Sequence, residues 1–362
     1  MRRTMISPLK YIQGDKELQN LCEYALQFSE RALLVASEAD QKRVQSELDI
    51  SQKKTPMFIK PGKFKEECTK NEIKRLQALA NENGCRVIIG LGGGKALDTA
   101  KAISSLMNLP VIIVPTIAAT DAPTSKLAII YTEDSRFEEY FHLKNNPNLV
   151  LVDTGVIANA PTRFLVSGMG DALSTYFEAR SCIRSGANNM SGGRSTKAAF
   201  AIARTCYETL LEDSVKAKVA CDNNIVTQAL ENIVEANILL SGLGFESSGL
   251  AACHSVHDGL TVLEETHHYY HGEKVAFGVI VHLVLENADM DELVRVIDYC
   301  KAVGLPTTLS DLGIVDVTEE KLMKVATAAC APGETIHNMP FPVTPMDVYG
   351  AILVADKLGG MA

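Results

Sequence analysis

The chain has 362 residues, of which 46% are apolar and 22% are charged, and its formal net charge is −9. This composition is that of an ordinary globular protein and excludes the disordered and collagenous classes. At about 100 to 200 residues per domain, the length predicts two domains. The acidic balance has the wrong sign for a protein that binds a phosphate backbone, so we expect no nucleic-acid partner.

The sequence shows no pattern that is typical of a membrane span or of an export signal. The longest strongly apolar stretch covers residues 275–285 and contains His282, well short of the roughly 20 residues that a membrane span needs. Two early arginines are followed by no apolar region, so we expect no export signal and no membrane partner. Nine cysteines are scattered singly without a Cys-x-x-Cys pair. They predict reduced thiols in a cytoplasmic protein.

Short β-rich runs alternate with polar helical stretches at the beginning of the chain. The β-rich runs cover residues 32–38, 56–60, 85–93, 110–116, 127–132 and 148–153. Apolar residues recur at helical spacing in 71–83 and 95–107. This alternation predicts βαβ units and a parallel sheet. A charged stretch without a clear helix separates the last two runs, which is typical of a hairpin-like excursion at the sheet edge.

The pattern changes near residue 160. Beyond Pro161 the chain continues in long helical segments rich in alanine and leucine, and strand signals nearly vanish. We therefore predict an α/β dinucleotide-binding domain over residues 1–160 and an all-α domain over residues 161–362. The cleft between two such domains is the expected active site.

The strongest local signal is a glycine-rich turn between a strand and a helix. In VIIGLGGGKALDTAK, residues 87–101, an apolar run ends in Gly92, Gly93 and Gly94 and continues directly as a helix. Glycines let backbone N–H groups approach an anion, and a helix N-terminus adds partial positive charge, so the turn predicts a phosphate or pyrophosphate site. It fits neither G-x-G-x-x-G, whose last glycine is here Lys95, nor a P-loop. A tight turn without a ligand is the alternative.

Five of the eight histidines are clustered in one short stretch. His254 and His257 are three residues apart, and His267 and His271 are four apart, so either pair can share a helix face. A catalytic divalent metal is the obvious use for such a cluster, and it usually needs a carboxylate as well. Asp171, an acid in an otherwise apolar helix, is the candidate. A helix-capping aspartate and surface histidines are the alternatives.

A third polar segment follows the run at 110–116. Thr116, Asp121 and Ser125 lie in the loop after it, and loops at the carboxyl ends of sheet strands bind ligands in α/β proteins. Because alanine and proline follow Asp121, plain turn chemistry is an equally good interpretation of that aspartate.

Seven segments, in order along essentially the whole chain, carry a family resemblance. They are GLGGGKALDTAKA, PTIAATDAP, NNPNLVLVDT, GMGDALSTYFEAR, GFESSGLAACHSVHDGL, HHYYHGEKVAFG and GETIHNMP. Together they resemble the glycerol dehydrogenases of the group III, iron-containing alcohol dehydrogenase superfamily. The resemblance implies an N-terminal Rossmann-like domain, an all-α C-terminal domain, and NAD and a divalent metal in the cleft. It also implies NAD-linked oxidation of glycerol to dihydroxyacetone by a homo-octamer.

Carried over to the matching positions, the resemblance assigns the site residues. Asp171, His254 and His271 become the metal ligands, and Asp121 and His254 the catalytic neighbours of the polyol. The implied cofactor-binding residues are Ser37, Gly92, Gly93, Gly94, Lys95, Asp98, Thr116, Ser125, Leu127 and Tyr131. Thr175 stands where iron-dependent relatives have a further histidine. Three protein ligands favour zinc over iron.

One departure from the resemblance concerns the choice of dinucleotide. Many relatives have an acidic residue for the adenosine ribose at the end of the first strand, and here that position is Ser37. A nearby Lys42 or Arg43 favours the phosphate of NADP, whereas Glu38 and the acidic surface oppose it. We expect NAD, with weaker discrimination against NADP than in those relatives.

Other functions stay open at this point. Within the superfamily they are a glycerol-phosphate dehydrogenase and a non-redox enzyme of the dehydroquinate synthase kind. Outside it, a dinucleotide-sensing protein without catalysis is the alternative. The sequence does not rank glycerol against propane-1,2-diol or butane-2,3-diol.

Overall fold

The computed structural model describes residues 2–361. They form two compact units, each built from separate stretches of chain. We call them the α/β unit, Ser7–Pro161 with Ala220–Leu239, and the helical unit, residues 2–6, Thr162–Val219 and 240–361.

All the strands lie in the α/β unit. They are β1 (Tyr11–Gly14), β2 (Arg31–Ala36), β3 (Phe58–Lys63), β4 (Val87–Gly92), β5 (Val111–Pro115), β6 (Leu127–Tyr131), β7 (Phe137–His142) and β8 (Leu149–Asp153). Six of them form one sheet in the order β1, β8, β5, β4, β2, β3, and every pair in it is parallel. The central strands β4, β5 and β8 are buried along their whole length, as expected for parallel strands covered on both faces. The predicted parallel sheet is confirmed.

The excursion at the sheet edge is a hairpin, and it ends before the last β-rich run. β6 pairs antiparallel with β7 in a separate two-stranded sheet, with Leu127 opposite His142. β8 instead returns to the interior of the main sheet, where it lies beside β5 and Leu149 pairs with Ile112. β1 was not expected, because its four residues are only half-buried and include the polar Gln13.

The helices are numbered along the whole chain. They are α1 (Leu21–Leu26), α2 (Glu38–Arg43), α3 (Gln45–Lys54), α4 (Lys70–Glu82), α5 (Gly94–Met107), α6 (Thr154–Ala158), α7 (Thr162–Ser185), α8 (Lys197–Asp222), α9 (Gln228–Glu235), α10 (Ser241–Ser248), α11 (Ala252–Leu260), α12 (His271–Leu285), α13 (Met290–Val303), α14 (Glu319–Ala329) and α15 (Pro345–Met361). Between residues 162 and 361 the structure contains helices and turns but no strand. The predicted succession of an α/β region and a helical region is confirmed.

Two further observations concern the protein's surroundings. Among residues 2–361, no helix combines the length and the apolarity that crossing a bilayer requires. All nine cysteines are free thiols, and Cys330 is the one that is not buried.

The division into domains 1–160 and 161–362 stays a prediction. The structure changes from one compact unit to the other at Pro161, next to the predicted boundary. It also returns Ala220–Leu239 to the α/β unit. The sequence does not indicate this return, because residues 228–235 form one more helix within a region of helices.

The returning segment, Ala220–Leu239, is tied to the α/β unit by polar bonds. The carboxylate of Glu231 accepts hydrogen bonds from Gln13 Nε2 at 2.7 Å and from Thr154 Oγ1 at 2.6 Å. The side-chain amide of Asn237 donates to the carbonyl of Ala118 at 3.0 Å. The segment therefore supports both the β1 edge of the sheet and the loop between β5 and β6.

A buried ion pair on α5 holds the same loop from another side. Lys101 has no exposed surface, and its Nζ lies 2.8 Å from Oδ1 of Asp98. Nζ also donates to the carbonyls of Ala122 at 3.0 Å and Leu127 at 2.5 Å. The other oxygen of Asp98 accepts from the backbone N–H of Ile129 at 2.9 Å. Both charges are thus compensated, as burial requires.

We expect Lys101→Met to lower the free energy of unfolding by about 3 kcal/mol, because it leaves the Asp98 carboxylate buried without its counter-ion. The control is Lys357→Met, whose ammonium group also pairs with an aspartate but is 79% exposed. Exposed pairs contribute little. The midpoint of denaturant unfolding measures both effects, and equal midpoints for the two variants would contradict this account of the ion pair.

Candidate functional site

Three side chains of the helical unit bring metal-ligating atoms together. Oδ1 of Asp171 lies 3.2 Å from Nε2 of His271 and 3.4 Å from Nε2 of His254. One ligand atom of each residue lies within 4.8 Å of the other two. Asp171 is on α7, His254 on α11, and His271 begins α12. One carboxylate oxygen and two imidazole nitrogens form a donor set that suits zinc and related divalent ions.

Two glycines let α7 and α12 touch next to this cluster. A Cβ atom on Gly272 would lie 1.7 Å from the carbonyl oxygen of Ser167, and one on Gly170 would lie 2.3 Å from the carbonyl oxygen of Gly272. No side chain fits in either place. Asp171 directly follows Gly170, and His271 directly precedes Gly272. The backbone contact therefore sets the distance between these two ligands.

A buried carboxylate orients His254. Nδ1 of His254 lies 2.6 Å from Oε2 of Glu178, whose other oxygen accepts from the backbone N–H groups of Ala251 at 2.8 Å and His254 at 3.1 Å. With Nδ1–H donated to the carboxylate, Nε2 keeps its lone pair for the ion. The sequence interpretation missed Glu178. Its signal is present, because Glu178 follows Asp171 by seven residues and so lies on the same face of α7.

A second chain of hydrogen bonds orients His271. Nδ1 of His257 lies 2.9 Å from the carboxylate of Asp258, and Nε2 of His257 lies 3.0 Å from Nδ1 of His271. Burial lowers the pKa of His257 to about 3, so its ring is neutral. Its Nδ1–H donates to the carboxylate, which makes its Nε2 an acceptor for Nδ1–H of His271. Nε2 of His271 is thereby left as a ligand atom.

The two histidine pairs seen in the sequence are therefore not two pairs of candidate ligands. His254 and His271, one from each pair, are the histidines whose ring nitrogens lie close to the Asp171 carboxylate. His257 supports His271 instead. His267 is directed elsewhere, because its exposed ring is 3.0 Å from the carbonyl oxygen of Thr261.

The electrostatics of the cluster favour a cation. Burial opposes ionisation of the Asp171 and Glu178 carboxyls, but the neighbouring imidazoles outweigh it and hold the pKa of each carboxyl below its usual range. Burial likewise opposes protonation of His254, yet the same two carboxylates raise the pKa of His254 well above its ordinary value. The raised pKa means that the two carboxylates hold a proton on His254. A divalent ion would take the place of that proton, because two buried carboxylates beside neutral imidazoles match the charge of one such ion.

The position four residues after Asp171 offers no further ligand nitrogen. It is Thr175, which is buried and whose hydroxyl is 2.9 Å from the hydroxyl of Ser241. The donor set at this place in the helical unit is thus the carboxylate and the two imidazoles.

The glycine turn of the α/β unit has the geometry of an anion site. Gly92 ends β4 with a φ of +140°, Gly93 is the N-cap of α5, and Gly94 is its first residue. A Cβ atom on Gly94 would meet no heavy atom within 4 Å. The first backbone N–H groups of a 14-residue helix are therefore accessible at this turn, and a pyrophosphate group fits such a terminus.

Several predicted dinucleotide residues lie in the α/β unit with this turn. Nζ of Lys95 lies 2.7 Å from Oε2 of Glu67 and 5.2 Å from the centre of the Tyr131 ring. Ser125 donates its hydroxyl to the carbonyl of the nearby Ala122 at 3.1 Å. Leu127 and Tyr131 are the first and last residues of β6. Asp98 differs from these, because both of its carboxylate oxygens already interact with Lys101 and Ile129.

Asp121 lies in the loop between β5 and β6, where it precedes a short 3₁₀ turn, Ala122–Thr124. The loop is held by the returning segment, since Thr124 Oγ1 donates to the carbonyl of Ile238 at 3.2 Å. Only 9% of Asp121 is exposed. Its carboxylate is thus fixed on an anchored loop rather than on a mobile surface.

Ser37 does not present its hydroxyl freely at the end of β2. It caps α2, where its Oγ accepts from the backbone N–H of Asp40 at 3.0 Å and donates to the Asp40 carboxylate at 2.7 Å. Glu38, the acidic residue next to Ser37, pairs with Lys63.

Comparison with known proteins places this fold and site in a family. Residues 8–154 match the family described as iron-containing alcohol dehydrogenase. The chain is 51% identical to the glycerol dehydrogenase of Thermotoga maritima, over 100% of this chain and 99% of that protein. It is 50% identical to the glycerol dehydrogenase of Citrobacter freundii, over 99% and 98%. The chain belongs to the iron-containing alcohol dehydrogenase family.

The family's fold agrees with this assignment. The crystal structure of glycerol dehydrogenase from Schizosaccharomyces pombe superimposes with a TM-score of 0.95 at 39% identity, covering 99% of this chain and 91% of that one. The resemblance to glycerol dehydrogenases that the sequence motifs indicated is confirmed.

We expect Gly272→Ala to separate α7 from α12 and so to weaken both stability and metal binding. Overpacking of this kind costs about 1 to 3 kcal/mol or more. Denaturant unfolding and competition with a chromophoric zinc chelator measure the two effects. The control is Gly350→Ala in α15, where an added Cβ meets nothing within 4 Å and stability should rise by up to about 1 kcal/mol. Wild-type zinc affinity in Gly272→Ala would show that the glycine contact does not set the ligand distance.

Proposed function

We propose that this protein is a metal-dependent, NAD-linked glycerol dehydrogenase, which oxidises glycerol to dihydroxyacetone. The observation that carries the proposal is the cluster of Asp171, His254 and His271. It occurs in a chain about half identical, over its full length, to glycerol dehydrogenases. The cluster also argues against a mere dinucleotide sensor, which has no use for a buried site that suits a divalent cation.

We further propose that the ion is zinc, held by the two imidazoles and the Asp171 carboxylate. Three protein ligands are typical of catalytic zinc. Thr175 supplies no fourth ligand, because its side chain has no nitrogen and its hydroxyl bonds to Ser241. When bound, the ion would supply Lewis acidity that makes an alcohol proton easier to remove. The helical unit's own contribution is to keep the Nε2 lone pairs of His254 and His271 available, through Glu178 and His257.

When bound, NAD⁺ would accept the hydride from the central carbon of glycerol, while the hydroxyl on that carbon loses its proton. The helix terminus at Gly94 in the α/β unit would hold the pyrophosphate through its backbone N–H groups. Asp121 accepts a hydrogen bond from a hydroxyl of the polyol and so orients it. Because that recognition needs a second hydroxyl, propane-1,2-diol and butane-2,3-diol are further substrates on this proposal. The octameric assembly stays a prediction.

Removal of the metal should abolish NADH production from glycerol, and added zinc should restore it. The protein should stay folded after chelation, because a catalytic ion does not replace the apolar core of the helical unit. Circular dichroism and elemental analysis accompany the assay. Full turnover by protein shown to contain no metal would refute the proposed function.

Two histidine variants distinguish a proposed metal ligand, His271, from a histidine outside the cluster, His267. His271→Ala should behave like chelation, with activity reduced more than the roughly 10- to 100-fold that loss of an outer-shell partner causes. His267→Ala should have little effect, because the ring of His267 bonds to the carbonyl of Thr261 outside the cluster. Zinc content and kcat/KM for glycerol measure the difference. Equal losses in the two variants would contradict the assignment of the ligands.

Asp121→Ala should impair the use of diols selectively. Loss of one hydrogen bond to a charged group corresponds to about 1.5 to 3 kcal/mol, or roughly 10- to 100-fold in kcat/KM for glycerol and propane-1,2-diol. The much slower oxidation of propan-2-ol should change little, as should the dissociation constant of NADH. An equal loss for glycerol and propan-2-ol would show that Asp121 acts on the loop rather than on the polyol.

A further inference from the structure

We propose that Asp40 is the residue that selects NAD over NADP in this chain. It would perform, from the first turn of α2, the task that an acidic residue at the position of Ser37 performs in many relatives. The inference rests on the proposed function only in that the α/β unit binds a dinucleotide. It is carried by where the Asp40 carboxylate lies and by what surrounds it.

The cap of α2 turns this carboxylate back toward the end of β2. Ser37 immediately follows β2, and its hydroxyl donates to Oδ2 of Asp40 at 2.7 Å while accepting from the Asp40 backbone N–H at 3.0 Å. The reciprocal pair fixes both side chains at the helix start. The negative charge missing at the Ser37 position is therefore supplied three residues later.

The same carboxylate lies against the glycine turn. A Cβ atom on Gly92 would be 3.0 Å from Oδ2 of Asp40, so the carboxylate occupies space that a side chain at the turn would take. Oδ1 of Asp40 accepts from the hydroxyl of Thr116 at 3.4 Å. Gly92 ends β4, and Thr116 follows β5. The carboxylate thus lies at the carboxyl ends of three adjacent strands, where open α/β sheets bind their ligands.

Glu38, the acid closest to Ser37 in sequence, is directed away from this place. Its carboxylate lies 2.5 Å from Nζ of Lys63, and the two side chains are 76% and 71% exposed. Lys63 ends β3, at the edge of the sheet. Asp40, by comparison, is 19% exposed. Of these two acids of α2, Asp40 is therefore the one that lies against the strand ends, whereas Glu38 is exposed and paired at the sheet edge.

The chemistry of this position discriminates between the two dinucleotides. A carboxylate accepts hydrogen bonds from the ribose hydroxyls of NAD and repels the 2′-phosphate of NADP. Asp40 has a second effect, because its Oδ1 lies 3.3 Å from Nη1 of Arg43. While this pair is intact, the guanidinium is occupied by a carboxylate. Without it, Arg43 becomes a donor suited to a phosphate group.

The test is direct titration of the full-length protein with NADH and with NADPH, without polyol, followed by fluorescence or calorimetry. Wild-type protein should bind NADH more tightly. Asp40→Asn should weaken the binding of NADH and strengthen the binding of NADPH. The ratio of the two dissociation constants should shift at least about tenfold toward NADPH, because that factor corresponds to the loss of one charge-assisted hydrogen bond. Adding Arg43→Gln should remove the gain for NADPH.

Two further variants keep the result interpretable. Glu38→Gln removes the same charge from the same helix and should leave the ratio unchanged. Ser37→Asp combined with Asp40→Asn places the acid where relatives have it, and should restore the preference for NADH.

The inference is overturned if Asp40→Asn weakens both dinucleotides by the same factor, which would indicate a purely structural role in capping α2. It is equally overturned if Glu38→Gln, rather than Asp40→Asn, shifts the ratio. Wild-type protein that binds neither dinucleotide would instead overturn the proposed function.

Discussion

The contact between the backbones of α7 and α12 is the constraint on which the proposed metal site depends. At Gly170 and Gly272 the two helices approach so closely that neither position has space for a methyl group. Asp171 and His271 are the next residues along the chain from this contact. A backbone contact has no rotamers to adjust, so the separation of these two ligands is determined by the packing of the helices. Once the backbone positions of Asp171 and His271 are set in this way, the orientation of their side chains determines the geometry of the site.

Those side chains are in turn held from behind. Each ligand histidine has its other ring nitrogen engaged, His254 by Glu178 and His271 by His257. The tautomer that leaves Nε2 free is therefore established by the protein itself. The same arrangement concentrates negative charge in the interior of the helical unit, where the carboxylates of Asp171 and Glu178 both have lowered pKa values. Neutral imidazoles leave these two carboxylate charges uncompensated, and the proposed metal ion would compensate them.

Local patterns in the sequence predicted much of this molecule. The parallel sheet followed from apolar runs between helical stretches. The glycine turn before α5, our candidate anion site, followed from a strand, three glycines and a helix in direct succession. The cluster of Asp171 with two histidines required the family resemblance, because its members come from three separate helices. Features that depend on packing were not readable. From the sequence, His257 was as good a candidate ligand as His254, and only the structure shows that it bonds to His271. The position of Asp40 at the strand ends likewise depends on the first turn of α2, which the sequence does not reveal.

The return of Ala220–Leu239 to the α/β unit has a consequence for how the chain is made. The sheet and the loop that carries Asp121 are complete in sequence by residue 153. Their hydrogen bonds with Glu231, which accepts, and Asn237, which donates, form only after the ribosome has added α7 and α8. The α/β unit therefore cannot reach its final state as a nascent N-terminal fragment. A gene cut near residue 160 would yield an N-terminal piece in which the β1 edge and the loop that carries Asp121 both lack their supports. That piece is therefore not a module that evolution or an engineer can exchange with a single break.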